Sequence, residues 1–530
     1  MNNSLLYPYA SRRAVVFGGR GVTATSQPMA AQIGLEVLRA GGNAVDAAVA
    51  MAMGLTVLEP TSNGIGGDAF CIVWHNKKMY GLNSSGGAPA AISAEILRDM
   101  GHETMPEKGL APVTVPGAPG AWAALSKKFG KLPLSKLAEG AVHYAREGFP
   151  ASPTVAEGWR HAQRAYSTMD AALHKTWADT FAVNGDAPAP GQTVRLPDHA
   201  RTLAEIADSG AESFYRGSLA DKIDRFFNDN GGYLRKSDLA SFAPEWVEPI
   251  KTNFRGHEIW EIPPNGQGLV ALMALAMLEN VDFHGFGDPR DIHSMIEATK
   301  LAFTDGQRYI TDPRHMPHSV ETLMNTAKKR RAMITDAAID PAAVPFIDHG
   351  TVYLCAADGE TMISYIQSNY MGFGSGVVVP GTGIAMQNRG ANFTLDPTHP
   401  NCLAPGKRPY HTIIPGFLTK NGAPLGPFGV MGGFMQPQGH VQVLANMLAY
   451  NMNPQSALDA PRWQWLQGRR VLLEHGHHPS LATALSQMGH QIEYSPTTGP
   501  FGRGQIILRN DHGTLTGATE PRCDGAVLCL

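Results

Sequence analysis

The strongest constraint on the fold is an abrupt change in sequence character near residue 350. Residues 1–350 have mainly helical patterns with some strands, and they end in the run DAAIDPAAVPFIDHG (336–350). This run has two prolines and little periodicity, which predicts an exposed linker. Residues 351–530 are dominated by strand-forming runs and glycine turns. A chain of 530 residues therefore forms either two or three domains or one large layered fold in which the two parts differ.

A β-hairpin is predicted directly after the linker. Residues 351–357 are rich in strand formers, the Asp-Gly pair at 358–359 is a turn dipeptide, and 361–365 begins a return strand. Thr351 heads this hairpin immediately after Gly350, and threonine is a common first residue of a strand. The alternative is that the chain is cut before Thr351, whose own α-amine, with a pKa of roughly 7.7–8.0, would activate its hydroxyl as a nucleophile.

Two buried helices are predicted near the N-terminus. Ile33, Val37 and Leu38 recur at helical spacing, which indicates one amphipathic helix. Asn43 can cap a second helix over 44–58, where almost every residue is apolar. Since this second helix has no polar face, we expect it to lie deep in the core.

Composition excludes several classes of function. The net charge of -3 and the absence of a basic block argue against a nucleic-acid partner. The longest apolar run, 269–278, is about half of what a membrane span needs. The five cysteines are scattered without CxxC spacing, which predicts neither a disulfide framework nor a zinc site. The N-terminus lacks an apolar segment of signal-peptide length, so we expect a cytoplasmic protein that binds no metal or cofactor.

Other motifs offer chemistry, but each has a plainer interpretation. Gly432 and Gly433 in VMGGFMQPQG could present backbone N–H groups to an oxyanion, since this run ends a short strand and opens a helix. Arg389 in MQNRGANF could bind a carboxylate through two parallel bonds, although a solvated loop arginine is the simpler interpretation. EHGHHP (474–479) could bind a metal, but no matching carboxylate or cysteine pattern accompanies it, so a polar loop is favoured.

Ordered matches along almost the whole chain carry more weight than any single motif. They are GGNAVDAAVAMAMGLTVLEPTSNGIGGDAF (41–70), TVPGAPGAWAAL (114–125), IPPNGQGL (262–269), ATKLAFTDGQRYITDP (298–313), PGTGIAMQN (380–388), PGKRPYHTIIP (405–415), MGGFMQPQ (431–438) and TEPRCDGAV (519–527). In this respect the chain resembles the γ-glutamyltranspeptidase family of N-terminal nucleophile hydrolases.

The resemblance implies an α/β fold, a four-layer αββα sandwich made as one inactive precursor. The precursor would cut itself between Gly350 and Thr351, giving a large chain (1–350) and a small chain (351–530) that remain together as a heterodimer. Thr351 would then be both the new N-terminus and the nucleophile. The family's oxyanion glycines map to Gly432 and Gly433, and an asparagine that helps to place the substrate maps to Asn369. A threonine beside the nucleophile in the family maps to Gln367.

Departures from the family pattern suggest a different substrate. The arginine that holds the α-carboxylate in γ-glutamyl enzymes maps to Ala94, and the carboxylate that holds the α-amino group maps to Asn392. A neighbouring polar residue becomes Arg389, and the paired serines become His411 and Thr412. The site has thus lost an anion and gained a cation. An unpaired buried arginine is costly, so we expect Arg389 to bind an acidic substrate group, assisted by Asn369, Asn392, His411 and Thr412.

This pattern is similar to the acylase and amidohydrolase branch of the family. We expect hydrolysis of a small carboxylate-bearing amide, with oxamate, which would give oxalate and ammonia in purine degradation, as the first choice. A glutaryl-type acylase and a γ-glutamyltransferase or glutathione hydrolase with a remodelled site are the alternatives. A non-catalytic binding relative that never cleaves itself is a more remote one.

Overall fold

Two seven-stranded antiparallel sheets form the centre of the molecule. The computed structural model describes residues 13–341 and 350–530, so most of the predicted linker lies outside the described residues. The Thr351 sheet contains, in spatial order, Ala526–Cys529, Gly21–Thr25, Val352–Asp358, Thr361–Ser368, Asp68–His75, Lys78–Ser84 and Glu245–Val247. The Gly432 sheet contains Val16–Gly18, Leu515–Thr519, Arg503–Arg509, Ala423–Met431, Gly416–Lys420, His257–Glu261 and Ile250–Phe254.

The predicted hairpin is confirmed, and it lies at the middle of the Thr351 sheet. Val352–Asp358 pairs antiparallel with Thr361–Ser368 on one side and with Gly21–Thr25 on the other. Its side chains alternate between the two faces, as a strand requires. Val352, Leu354 and Ala356 pack against helices, whereas Tyr353 and its alternate neighbours face the Gly432 sheet.

The two sheets pack face to face with helices outside each. The Tyr353 ring lies so close to Gly429 of the Gly432 sheet that a Cβ there would be 2.3 Å from the ring. The helices outside the Thr351 sheet include Pro28–Arg39, Ala44–Leu58, Ala118–Phe129, Leu134–Glu147, Pro153–Tyr166, Ala171–Phe181, Pro197–Ser209, Glu212–Tyr215, Ser218–Asp229 and Lys236–Ser241. Those outside the Gly432 sheet include Gly268–Leu278, Pro289–Tyr309, Val320–Arg330, Met435–Leu448, Pro454–Asp459 and Pro479–Gln487. The expected αββα order is therefore confirmed.

Both predicted N-terminal helices are present. The Asn43 side chain accepts the Asp46 N–H, and Asp46 in turn accepts the Asn43 N–H, so this cap is reciprocal. All residues of Ala44–Leu58 are buried, as its uniformly apolar sequence predicts.

The smaller elements lie around the sandwich. They are the short helix Ala94–Asp99, the 3-10 turns Pro313–His315, Arg331–Met333, Arg389–Asn392 and Gly499–Phe501, and strands in three small sheets, Phe149–Pro150 with Thr193–Val194, Val378–Val379 with Ile384–Ala385, and Trp463–Gln467 with Arg470–Leu473 and Gln491–Tyr494. In the described part of the chain, no helix is long and apolar enough to cross a membrane.

Candidate active site

Thr351 is fully buried at the edge of the space between the sheets. Its hydroxyl donates to the carbonyl oxygen of Gly350 at 2.8 Å, and it lies 3.2 Å from the Ser368 hydroxyl. Ser368 Oγ is also 3.0 Å from the Gly350 carbonyl oxygen. Two hydroxyl groups therefore converge on the carbonyl of the peptide bond that self-cleavage would break.

The hydrogen bonds of Ser368 determine where its proton points. Its oxygen accepts the Tyr370 N–H at 2.8 Å and an Arg389 Nη2 hydrogen at 3.2 Å. Since a hydroxyl has two acceptor lone pairs and one proton, these bonds leave the proton for the Gly350 carbonyl. Ser368 is thus a donor placed to stabilise negative charge on that carbonyl oxygen.

The mapping of the nucleophile's neighbour to Gln367 was wrong, and Ser368 occupies that place. The hairpin pairs Val352 with Gln367, which puts Ser368 opposite Thr351. Because strand faces alternate, Gln367 points to the helix side, where it accepts from Trp122 Nε1 at 3.0 Å and donates to Asn63 at 2.7 Å. A register difference of one residue exchanges the two faces of a strand.

Arg389 is completely buried beside Ser368. Its Nη1 donates to the Thr412 hydroxyl at 2.7 Å, and its guanidinium carbon lies 4.4 Å from the centre of the Tyr370 ring. Its Nε has no hydrogen-bond partner within the described residues. Burial lowers the pKa of Arg389 to about 10, so the side chain is a cation at neutral pH with donor capacity to spare.

A buried carboxylate, which the sequence reasoning did not single out, opposes part of this charge. Asp68 begins a strand directly opposite Ser368 and accepts from the Gly117 N–H at 3.1 Å and Gln387 Nε2 at 3.0 Å. Burial raises the pKa of Asp68 to about 7, although the nearby charge of Arg389 limits the rise. Asp68 therefore supplies negative charge near Arg389. This corrects the expectation that Arg389 would meet an acidic group only in the substrate.

His411 is held by Asp68. Its Nδ1 accepts the Ile413 N–H at 3.3 Å, so Nε2 carries the proton and donates to Asp68 at 3.1 Å. Burial, together with the charge of Arg389, keeps the pKa of His411 well below its usual value. His411 is neutral, and both of its ring nitrogens are hydrogen-bonded, so it acts on the site through Asp68. Direct contact between His411 and a substrate would require one of these two hydrogen bonds to break.

Two asparagine amides retain unused hydrogen-bonding capacity. Asn369 is fully buried, and neither its amide oxygen nor its amide nitrogen has a partner among the described residues. Asn392 accepts the Tyr370 hydroxyl at 2.5 Å, while its Nδ2 is buried and likewise unpaired in the described part of the chain. Because buried amides normally find partners, these atoms can bond to a substrate or to water.

Gly432 and Gly433 lie where the strand Ala423–Met431 ends and the helix Met435–Leu448 begins. Their φ angles of +132° and +54° lie in the region that favours glycine. Gln267 fixes this turn, since its Nε2 donates to the Gly433 carbonyl at 2.8 Å and to the Thr412 carbonyl at 2.6 Å. The turn is of the kind that presents N–H groups to an oxyanion.

Gly350 has no room for a side chain. A Cβ there would lie 2.9 Å from the Thr61 carbonyl oxygen and 3.0 Å from Ser62 Cα. Glycine thus allows the backbone at position 350 to lie close to residues 61–62.

A buried histidine–glutamate cluster has the spacing of metal ligands, but its charge is already matched. Ligand atoms of His293, Glu297 and His490 lie within 4.8 Å of one another. The Lys300 ammonium is 2.7 Å from Glu297 Oε1 and also donates to the Ile339 carbonyl. This buried ion pair occupies the place of a cation.

Comparisons with known proteins identify the family. The family described as Gamma-glutamyltranspeptidase matches residues 30–530. The chain belongs to this family. A glutathione hydrolase-like proenzyme of Bacillus subtilis is 34% identical, over 97% of this chain and 99% of that protein. An oxamate amidohydrolase proenzyme of Klebsiella pneumoniae is 33% identical, over 96% of this chain and 98% of that protein.

A solved structure gives a closer likeness. The cephalosporin acylase from Bacillus halodurans is 55% identical, with a TM-score of 0.97, over all of this chain and 99% of that one. The fold is therefore that of the N-terminal nucleophile hydrolases, and the chain is an amide-cleaving hydrolase of the γ-glutamyltranspeptidase family.

Sequence reasoning missed Asp68, Ser368 and Tyr370. Asp68 had a signal, because it is the one acidic residue in an otherwise apolar strand after a glycine cluster. Ser368 follows from a hairpin register centred on Gly359 and Glu360, whereas a turn centred on the Asp358-Gly359 dipeptide would place Ile366 opposite Thr351. Nothing in the sequence places the Tyr370 ring over Arg389.

Proposed function

We propose that the chain is a self-processing amidohydrolase that acts on amides of a short, carboxylate-bearing acid, with oxamate as the first candidate. One observation carries this proposal. The Thr351 hydroxyl and Arg389 Nη2 each lie 3.2 Å from the same Ser368 oxygen, so they are within two hydrogen-bond lengths of each other. An acyl group that offers its carbonyl to Thr351 and its carboxylate to Arg389 must be short, and in oxamate one carbon–carbon bond joins the two groups.

Maturation begins with the uncleaved chain. The Thr351 oxygen attacks the Gly350 carbonyl carbon, and the Ser368 hydroxyl stabilises the oxyanion that forms. Breaking the carbon–nitrogen bond transfers the Gly350 acyl group to the Thr351 oxygen, the Thr351 hydroxyl proton passes to the departing nitrogen, and water hydrolyses the resulting ester. Thr351 then has a free α-amine. The two chains stay together as a heterodimer because Val352–Asp358 remains paired between Gly21–Thr25 and Thr361–Ser368.

Substrate hydrolysis uses the same oxygen. The α-amine takes the Thr351 hydroxyl proton as the oxygen attacks the amide carbonyl, and it then protonates the departing ammonia or amine. Gly432 and Gly433 N–H groups stabilise the oxyanion. Arg389, steadied by Thr412, binds the carboxylate through charge-assisted bonds, and the Asn369 amide and Asn392 Nδ2 complete the polar lining. Water releases the acid and restores Thr351.

Two longer acids are the competing substrates. The 55% identity to the cephalosporin acylase from Bacillus halodurans supports an acylase substrate as the main competitor of oxamate. A γ-glutamyl donor is disfavoured, because Ala94 packs in an apolar cluster with residues that include Phe393 and Leu395, and Asn392 carries no negative charge for an ammonium group.

A substrate panel tests the proposal. Matured protein is assayed with oxamate, a glutaryl amide and a γ-glutamyl anilide, and kcat/KM is compared for the wild type and Arg389→Gln. We expect oxamate to be preferred and its advantage to disappear in Arg389→Gln. If the glutaryl amide is preferred and this preference depends on Arg389, the substrate is that of an acylase and oxamate is ruled out as the preferred substrate. A preference for the γ-glutamyl anilide would overturn the role of Arg389.

A further inference from the structure

The Gln367 amide lies on the helix side of the strand that carries Ser368, and the proposed chemistry does not use it. Its Oε1 accepts the Trp122 Nε1 hydrogen at 3.0 Å and the Tyr365 hydroxyl at 2.9 Å. Its Nε2 donates to Asn63 Oδ1 at 2.7 Å. Because an indole nitrogen can only donate, Trp122 fixes the orientation of the amide, and the hydrogen bond to Asn63 has one direction.

Asn63 extends this constraint to the turn that follows the helix Ala44–Leu58. Its Nδ2 donates to the carbonyl oxygens of Leu55 at 3.0 Å and of Glu59 at 2.9 Å. Both carbonyls lie at the C-terminal end of the helix, so these two bonds fix the turn 59–63 relative to it. Asn63 is fully buried, and hydrogen bonds in such surroundings are electrostatically stronger than in water.

The same turn packs against Gly350. A Cβ at Gly350 would lie 2.9 Å from the Thr61 carbonyl oxygen and 3.0 Å from Ser62 Cα. The Gly350 carbonyl oxygen itself lies 3.0 Å from Ser368 Oγ. One strand therefore reaches the peptide that is to be cut in two ways, directly through the Ser368 hydroxyl and indirectly through the neighbouring side chain and this turn.

Self-cleavage depends on how this peptide is held. The Thr351 oxygen must approach the carbonyl carbon of the residue before it, so their separation depends on the backbone conformation at Gly350. Glycine restricts that conformation less than any other residue, and the surrounding structure has to restrict it instead. The turn 59–63 is in contact with Gly350 and can do so. Once the peptide is cut, the carbonyl no longer belongs to the reaction, and the constraint has no further effect on it.

We propose that Gln367 and Asn63 are positioning residues for self-cleavage. They hold the turn 59–63 against Gly350, so that its carbonyl is presented to the Thr351 oxygen, and the matured protein does not need them to hydrolyse its substrate. This inference rests on the proposed cleavage between Gly350 and Thr351, and it does not depend on which amide is the substrate.

The rate of self-cleavage tests the positioning role. The full-length chains of Asn63→Ala and Gln367→Met are followed by intact mass after purification. We expect each to disappear roughly tenfold to a hundredfold more slowly than the wild type, since a displacement of about 1 Å from the attack geometry has a cost of this size. The matched control is Gln455→Met, which removes another buried amide, bonded to the Thr519 backbone, and should be cut at the wild-type rate. Thermal unfolding in a Thr351→Ala background compares the stability lost in each variant.

Two further variants distinguish a defined path from a general loss of stability. If Gln367 acts through Asn63, the double variant Asn63→Ala, Gln367→Met should be cut no more slowly than Asn63→Ala alone, whereas independent defects would multiply. Gln367→Glu should be cut faster than Gln367→Met. Burial favours the neutral carboxyl group, which can accept from Trp122 and donate to Asn63, so this variant also serves if Gln367→Met does not fold.

Turnover by the matured protein is the second measurement. After prolonged incubation, kcat/KM per cleaved molecule for the amide that the wild type prefers should be the same in Asn63→Ala as in the wild type. Parallel losses of self-cleavage and turnover, or self-cleavage of Asn63→Ala at the wild-type rate, would overturn the inference. A wild type that cuts itself but hydrolyses no amide of the panel would refute only the proposed function, and the cleavage rates would still decide the positioning role. A wild type that stays uncut would refute both.

Discussion

Replacing Ser368 by alanine should slow self-cleavage by about two orders of magnitude. Ser368 donates its only proton to the Gly350 carbonyl at 3.0 Å, because its lone pairs are occupied by the Tyr370 N–H and by Arg389. The other hydroxyl on that carbonyl belongs to Thr351, which loses its proton when it attacks. Removing one donor from a developing oxyanion costs roughly 2.7–4 kcal/mol, or 10²–10³ in rate.

The assay is the disappearance of the full-length chain with time after purification, followed by intact mass. Ser368→Thr keeps a hydroxyl at the same position and should process far faster than Ser368→Ala. Alanine also removes the acceptor of the Tyr370 N–H and one of the hydrogen bonds of Arg389, which keeps its bond to Thr412, a loss of roughly 1–3 kcal/mol. Thermal unfolding of both variants in a Thr351→Ala background measures that loss separately. Processing of Ser368→Ala at the wild-type rate would refute this account of the hydrogen bonds around Gly350.

Further predictions concern the flanking residues of the site. Arg389→Lys should raise KM for oxamate by roughly tenfold to hundredfold, the value of a charge-assisted bond, with a smaller change in kcat; an unchanged KM would count against carboxylate binding there. KM should also rise above pH 7, because Asp68, whose pKa is raised to about 7, then becomes an anion beside Arg389, and Asp68→Asn should flatten this pH profile. Gly432→Ala should lower kcat on substrate by about a hundredfold, since its φ of +132° disfavours a side chain. Gly350→Ala should retard processing through the contact with Thr61, whereas Gly359→Ala, with open space around it, should not.

The sequence predicted the parts of the fold that depend on local pattern. The hairpin after residue 350 followed from strand formers on both sides of Asp358-Gly359, and the buried helix Ala44–Leu58 followed from its apolar run and the Asn43 cap. The pairing of distant strands, such as Gly21–Thr25 with Val352–Asp358, leaves no local signal. That part of the fold came from the family resemblance.

The candidate site was predictable residue by residue only where a motif fixed the position. Thr351, Gly432 and Gly433 stand in motifs with glycines that no other residue could replace without strain. Ser368 was missed because one residue of register exchanges the two faces of a strand. The charge of Asp68 next to Arg389 depends on three-dimensional proximity, which the spacing of the two residues in sequence does not reveal.

The most direct test of the central claim is the intact mass of freshly purified protein, followed by N-terminal sequencing of any smaller fragment. The account predicts two chains that copurify, the smaller beginning Thr-Val-Tyr-Leu, and a single full-length chain for Thr351→Ala. A wild-type protein that hydrolyses oxamate while it remains one uncut chain, or a fragment that begins at any other residue, would contradict it.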